Sequence, residues 1–314
     1  MKHFDNRVAV ITGAGSGMGR SLAVQLAGAG CHLALADKNA LGLAETERIV
    51  RAMAPQVVVT TRVLDVSERD AVFAWADETA LAHGRVNLVF NNAGVALSST
   101  IDGMAYADLE WIVNINFWGV VHGTKAFLPY LKAAGEGHIV NTSSVFGLFA
   151  QPGMGAYNAT KYAVRGFTES LRQELDMMKC GVSATCVHPG GIRTNIAQSS
   201  RVASNMVGFM VASEQQGKDE FEKFFITTAD DAARTILAGV RRNARRVLIG
   251  RDARAADWLA RILPAAYQSL VVLNARREAA KARKVARRRD IATGTAAEPS
   301  TSNTAGNHNQ GETA

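Results

Sequence analysis

An open parallel α/β sheet covered by helices on both faces, a doubly wound three-layer α/β/α fold, is the class this sequence predicts. Three observations carry that expectation. Short β-branched runs alternate with longer Ala-rich amphipathic runs over most of the 314 residues, no unit repeats itself, and the first apolar run ends in a glycine-rich turn that opens a helix.

In chain order, the strand pattern falls at Arg7–Thr12, His32–Asp37, Val57–Leu64, Val86–Asn91, His138–Thr142, Val182–His188 and Arg246–Ile249. These are runs rich in Val, Ile, Leu and Ala, bounded by turn residues, as strands buried on both faces require. Helical periodicity fills the intervals near Gly17–Ala29, Ala40–Met53, Ser67–Ala82, Tyr106–Ala133, Ala156–Met178 and Thr228–Arg241. Each is long enough for the crossover between two parallel strands. Ile196–Phe225 interrupts the alternation with Met206, Phe209, Met210, Val211, Phe221, Phe224 and Phe225, and reads as a helical insertion without a strand, a substrate lid at the carboxyl edge of the sheet. Past Gly250 a helix is expected over Ala253–Leu263, then a break at Pro264 and a second helix from Ala265. The expected organisation is thus a catalytic domain over 1–250, a basic helical extension over 251–290 and a disordered tail over 291–314, where Thr, Ala, Ser, Asn and Gly dominate.

The net charge of +7 is unevenly placed: residues 241–289 carry 15 Lys and Arg against 3 acidic residues, and residues 1–240 carry 20 against 22. A nearly neutral body excludes a protein that binds polyanions over its whole surface. Cys31, Cys180 and Cys186 lie in or beside apolar runs without metal or redox spacing, and read as reduced core residues. The first apolar run is too short for a signal peptide, and Leu259–Leu273 is too interrupted to span a bilayer, so a cytoplasmic protein is expected, with peripheral membrane contact left open.

Val8–Thr12 leads into Gly13-Ala14-Gly15-Ser16-Gly17-Met18-Gly19, and a helix begins where the glycines end. Such a turn lets backbone approach a pyrophosphate, whose charge meets the free N–H groups and dipole of the helix N-terminus, as in Rossmann-type domains. Asp37 closes the second strand, where a carboxylate accepts both ribose hydroxyls of an adenosine and repels a 2′-phosphate. This favours NAD. NADP stays open because Lys38 offers a phosphate partner, although Ser16, in the glycine turn, offers none. Tyr157 and Lys161, at i and i+4, project from one helix face, and an adjacent cation favours a phenolate. Ser144, just past the strand ending at Thr142, is placed to polarise a carbonyl, and the amide of Asn116 in an apolar helix demands a partner. His122 and His138 lack a second ligand at metal spacing, and no metal is expected. His188 reads as a strand-end residue with a backbone partner.

Together, Thr12-Gly13-x-x-x-Gly17-x-Gly19, Asp65-Val66, Asn91-Asn92-Ala93-Gly94, Asn116, Ser144, Tyr157-x-x-x-Lys161 and Pro189-Gly190 with Thr194 resemble the short-chain dehydrogenases/reductases across residues 5–250. The resemblance implies hydride transfer between nicotinamide and a carbinol carbon. It assigns Tyr157 as general acid/base, Lys161 as the group that lowers its pKa and holds the nicotinamide ribose, Ser144 as the binder of the reacting oxygen and Asn116 as the anchor of a relay water. For the cofactor it implies Asp65 and Val66 beside adenine, Asn92, Ala93 and Gly94 along its backbone, and Ile192 and Thr194 at the carboxamide and phosphates. The apolar insertion, with Phe146, Leu148 and Phe149, points to a lipophilic alcohol or ketone.

The chain departs from the family beyond residue 250, where an apolar stripe from Trp258 to Leu273 precedes a basic run from Arg276 to Arg289. Three roles compete for it: packing on the body or on a second subunit of a homo-oligomer, an anchor on anionic membrane through 253–289, or nucleic-acid contact, the last without any recognised module. The alternative to an NAD-linked oxidoreductase is a lipid- or nucleic-acid-binding protein built on the same scaffold.

Overall fold

The computed structural model describes residues 1–207, 209–223 and 225–292, so Phe224 and all but the first two residues of the expected tail lie outside it. Nine strands and ten α-helices occur among the described residues. They are β1 (Val8–Thr12), α1 (Gly17–Gly28), β2 (His32–Asp37), α2 (Ala40–Met53), β3 (Val59–Val63), α3 (Arg69–His83), β4 (Leu88–Asn91), β5 (Leu97–Ser98), α4 (Tyr106–Val113), α5 (Gly119–Ala133), β6 (Gly137–Thr142), α6 (Gly155–Met178), β7 (Val182–Pro189), β8 (Arg201–Val202), α7 (Glu214–Lys223), α8 (Ala229–Arg241), β9 (Arg246–Ile249), α9 (Arg251–Ile262) and α10 (Tyr267–Ala292). Ile291 and Ala292, expected as tail, close α10.

Seven of the strands form one parallel sheet in the order β3-β2-β1-β4-β6-β7-β9. The chain winds outward from β1 to β3, then returns to place β4 on the other flank of β1, with Ile11 paired to Leu35 on one side and Phe90 on the other. That reversal opens a crevice at the carboxyl ends of β1 and β4, where ligands of this architecture bind. Period-2 alternation divides the core. Ile11, Leu33, Leu35 and Phe90 face α1 and α8 through Leu22, Leu26, Ile236 and Val240, whereas Val10, Ala34, Val89 and Ile139 face α3, α5 and α6 through Trp75, Phe127 and Leu171. Each of the Val, Leu, Ile and Phe side chains among them contributes roughly 1.5–3 kcal/mol on burial.

Two expectations are corrected. The helix read as continuous over Tyr106–Ala133 contains a π-helical turn at Asn114–Trp118 between α4 and α5. One extra residue in the ladder rotates Asn116 inward, to 0 % exposure, where its amide finds partners. The insertion after β7 is only partly helical: Arg201–Val202 runs parallel to Leu97–Ser98 as a two-stranded sheet, because Arg201 N–H donates to the Ala96 carbonyl and Ala203 N–H to that of Ser98. The Arg201 guanidinium lies 3.7 Å from the Trp111 ring centre and pairs with Asp108, locking the insertion to α4.

Two buried histidines make the fold acid-sensitive. His138 Nε2 sits 2.7 Å from Thr185 Oγ1, and burial pulls its pKa down to about 3; burial likewise pulls His188 down to about 4. Unfolded imidazoles titrate near ~6.5, so below that pH the unfolded chain binds more protons than the folded one. The stabilisation is complete above about pH 6.5 and is lost progressively below it, the loss ending at about 4 for His188 and about 3 for His138. Urea unfolding between neutral and acid pH is expected to show a loss of a few kcal/mol per histidine, and His138→Gln to flatten that slope; parallel curves for the two proteins would remove His138 as a source.

Candidate active site

The turn from β1 to α1 is built around Gly13, whose φ of +67° a side chain would strain, and Gly19, where a Cβ would lie 2.0 Å from the Gly13 carbonyl oxygen. Arg20 holds this turn: its guanidinium donates to the Gly15 and Gly42 carbonyls and to Thr46 Oγ1. Ser16, exposed and extended, caps α1 without a side-chain hydrogen bond, and Gly17 lies against Thr194. The loop after β4 folds onto the same turn. Thr12 Oγ1 accepts from the Asn92 and Ala93 N–H groups, and Asn92 Nδ2 donates to the Thr12 carbonyl, leaving Asn92 Oδ1 buried without a partner.

Asp37 reaches this turn directly. Its Oδ2 accepts from Gly15 N–H at 2.8 Å and its Oδ1 from Asn39 N–H at 2.8 Å. Lys38 is tied at 2.6 Å to Asp65. Partial burial raises the Asp65 carboxyl, but hydrogen bonds from Lys38 and Ser67 outweigh it and hold the group below its usual range. His122 Nδ1 lies 3.2 Å from the Val66 carbonyl and its ring stacks on Trp118, so this histidine braces the Asp65–Val66 segment.

Beyond this turn, Ser144 follows β6, and Tyr157 and Lys161 stand on the first turns of α6. Lys161 Nζ donates to the Thr142 carbonyl at 3.0 Å and lies 5.6 Å from the Tyr157 ring centre. Burial raises the Tyr157 phenol, with a hydrogen bond to Ser144 pulling the other way, and burial draws Lys161 down to about 8. Lys161 Nζ and the Tyr157 hydroxyl are not in hydrogen-bond contact, and burial favours the neutral form of each. Asn116 Oδ1 accepts from Val95 N–H at 2.8 Å, and its Nδ2 donates to the Val95 carbonyl and to Thr160 Oγ1. Its side chain fixes the loop after Gly94 and is spent on that task. His188 Nδ1, 2.9 Å from the Ser144 carbonyl, bonds it as a donor, which makes Nε2 the bare nitrogen; Nε2 is buried without a partner.

These residues open on a cavity of about 280 Å³. Its lining brings together Met18, Asn92, Gly94, Ser144, Tyr157, Lys161, Pro189, Gly190, Ile192 and Thr194 from the residues singled out in the sequence. Gly13, Gly15, Ser16, Gly17, Gly19, Asp37, Asp65, Val66, Ala93 and Asn116 lie outside the lining. Phe146, Phe149, Ile196 and Phe225 form its apolar wall. Met206 and Met210 are absent from that wall. They lie against Gly153 instead, bracing the loop before α6, and Phe209 is exposed.

Sequence reading missed Asp252 and Ala256 of α9, which also line the cavity. Asp252 Oδ2 accepts from Gly191 N–H at 2.6 Å, and Tyr267 Oη accepts from Ala150 N–H at 3.1 Å. The extension therefore begins as part of the site, and nothing short of the fold pairs an aspartate with a glycine 61 residues earlier. The close-packed glycine turn, the uncapped start of α1, the orphaned Asn92 Oδ1 and a cavity running on to Tyr157 fit a dinucleotide.

A family model described as short chain dehydrogenase matches residues 7–205. The chain is 48 % identical over 273 residues to "Putative oxidoreductase SadH" of Mycobacterium tuberculosis, covering 86 % of this chain and 96 % of that one. It is 35 % identical over 198 residues to levodione reductase of Leifsonia aquatica, covering 63 % and 73 %. A short chain dehydrogenase/reductase from Burkholderia phymatum, crystallised with NAD, superposes with a TM-score of 0.77 at 32 % identity, covering 85 % of this chain and 97 % of that one. On fold, motif geometry and these matches alike, the chain belongs to the short-chain dehydrogenase family and is an oxidoreductase of it.

Proposed function

We propose that this protein is an NAD-dependent dehydrogenase that interconverts a lipophilic primary or secondary alcohol and its aldehyde or ketone. The observation that carries the reading is the convergence of Ser144, Tyr157 and Lys161 on one apolar-walled cavity continuous with Met18, Asn92 and Gly94. The dinucleotide is held by the Gly13–Gly19 turn, Asp37, the Asp65–Val66 and Asn92–Gly94 segments, and Pro189–Thr194. A nicotinamide bound there would supply the hydride acceptor for oxidation and the hydride donor for reduction. Ser144 donates a hydrogen bond to the reacting oxygen. Tyr157 takes the hydroxyl proton during oxidation and gives it back during reduction. Lys161 supplies positive charge behind the phenol, and Asn116 keeps the Gly94–Val95 loop in register with α6.

Preference for NAD rests on Asp37, whose carboxylate is incompatible with a 2′-phosphate, and on Lys38 being engaged by Asp65. Asp37→Asn keeps the size and the acceptor for Gly15 N–H while removing the charge and the acceptor for Asn39 N–H. It is expected to shift the ratio of kcat/KM for NADP over NAD upward by about tenfold or more, in line with the strength of a hydrogen bond to a charged group. An unchanged ratio would take Asp37 out of this role.

The experiment that tests the whole reading is a panel of alcohols and carbonyls assayed with NAD and NADP. Lipophilic carbinols are expected to give NADH, with polyols silent. Activity confined to polyols would overturn the substrate class, and stoichiometric NAD binding without turnover on any member would select the non-enzymatic scaffold.

A further inference from the structure

The extension after β9 has two faces. Tyr267 is buried, and Val271 and Ala275 are half-buried at spacings of four along α10. The other face points away from the body: Trp258 and Ile262, four apart on α9, are 64 % and 54 % exposed, and Leu270 and Leu273, three apart on α10, are 50 % and 48 % exposed. In sequence, Arg277, Lys281, Lys284 and Arg288 continue the three-and-four spacing that begins at Leu270, and residues 276–289 hold eight Lys and Arg against Glu278 alone. Outward apolar side chains thus pass, along one helix, into a cationic stretch.

We propose that α9 and α10 dock this protein onto an anionic lipid surface. Charge complementarity selects that occupant. A parallel second copy would set like charge against like charge, an antiparallel one would leave each basic run without a counter-charge, and a nucleic acid would engage the cations while leaving Trp258, Ile262, Leu270 and Leu273 in water. A lipid surface satisfies both halves at once. The apolar side chains enter the boundary between headgroups and acyl chains, Trp258 sits where indole is favoured, and the basic run meets anionic headgroups. The inner face of α9 lines the cavity through Asp252 and Ala256, so the docked helix separates a bilayer from the cavity by about its own diameter, ~10 Å. Docking does not depend on the identity of the substrate and is read without turnover.

The test is flotation of the full chain with vesicles of phosphatidylcholine alone and of an equimolar mixture with phosphatidylglycerol. The bound fraction is expected to be about tenfold or more higher on the anionic vesicles and to fall with added salt. The emission of Trp258, isolated by difference against Trp258→Phe, is expected to move to shorter wavelength only with those vesicles. Two variants separate the contributions: Arg276→Gln/Arg277→Gln/Arg287→Gln/Arg288→Gln and Leu270→Ser/Leu273→Ser. Each is expected to lose most of the binding while keeping the parent's fold by circular dichroism and its urea unfolding midpoint. Equal partition onto both vesicle types, or binding unaffected by either variant, overturns the proposal. So does a dimer in sedimentation velocity that Leu270→Ser/Leu273→Ser dissociates without any vesicle binding, which gives the face to a second copy. Retention on DNA or RNA with none on vesicles gives the basic run to nucleic acid.

Discussion

Tyr157→Phe is expected to lower turnover by about 10²–10⁴-fold, the range a positioned acid/base supplies, with NAD affinity changed little. The variant keeps the ring, its packing against Phe146 and the place of Lys161, and removes only the hydroxyl beside Ser144. Steady-state kinetics with fluorescence titration of NAD separate the two quantities. Turnover at the parent rate would end the assignment of Tyr157, whereas loss of NAD binding would make it a structural residue of the cavity. The pH dependence has a definite sign. Burial holds the phenol above its ordinary range, so it carries its proton at neutral pH and is ready to donate. Oxidation, which needs the proton gone, is expected to quicken as pH rises, and carbonyl reduction to slow; the residual rate of Tyr157→Phe should lack both trends.

The second large effect belongs to Gly19→Ala. A methyl group there would lie 2.0 Å from the Gly13 carbonyl oxygen, 2.7 Å from the Gly13 carbonyl carbon and 2.9 Å from Asn92 Nδ2. The obstacle is backbone, and Gly13 at φ +67° is itself pinned against Ala93, so the turn cannot yield locally. NAD affinity is expected to fall by about a hundredfold or more, and stability by roughly 1–3 kcal/mol, the range for overpacking a tight site. Gly28→Ala at the other end of α1 is the control, since its Cβ would meet only the Met53 methyl at 3.8 Å. That variant should bind NAD normally and be neutral or slightly more stable. Calorimetric titration and urea unfolding of both proteins decide the matter; normal NAD affinity in Gly19→Ala would mean that this turn does not carry the cofactor.

Both variants lie in parts of the chain that are legible without coordinates, and the reason is physical. Parallel strands buried on both faces leave unbroken apolar runs, and the seven strands of the main sheet were readable to within two residues at either end. Tyr157 and Lys161 are legible as a pair because one helical turn sets their i and i+4 spacing, Ser144 because it follows a strand end, and their proposed roles only through the resemblance. What escaped sequence reading depends on contacts the sequence does not encode locally. The π-helical turn at Asn114–Trp118 shifts the helical period by a single residue, too little to disturb the apolar pattern of Tyr106–Ala133. Arg201–Val202 is too short for any periodicity, and its strand exists only because Ala96 and Ser98 offer free backbone groups beside it. Met206 and Met210 looked like lid residues by composition, but the space left by Gly153 decides where they pack.

Asp252 on Gly191 has a bearing on how such a molecule changes over time. The stretch matched by the family model ends at residue 205, whereas Phe225, Asp252 and Ala256, which shape the cavity, all come later. The residues proposed for redox chemistry, with Phe146, Phe149 and Ile196 of the wall, thus lie on the earlier length, and the rest of the wall lies on a later one held to it by the β7–β9 pairing, by α8 in the core and by the Asp252–Gly191 hydrogen bond. Exchange of Phe225 or Ala256 alters the wall while Ser144, Tyr157 and Lys161 stay in place, provided that an acceptor for Gly191 is kept.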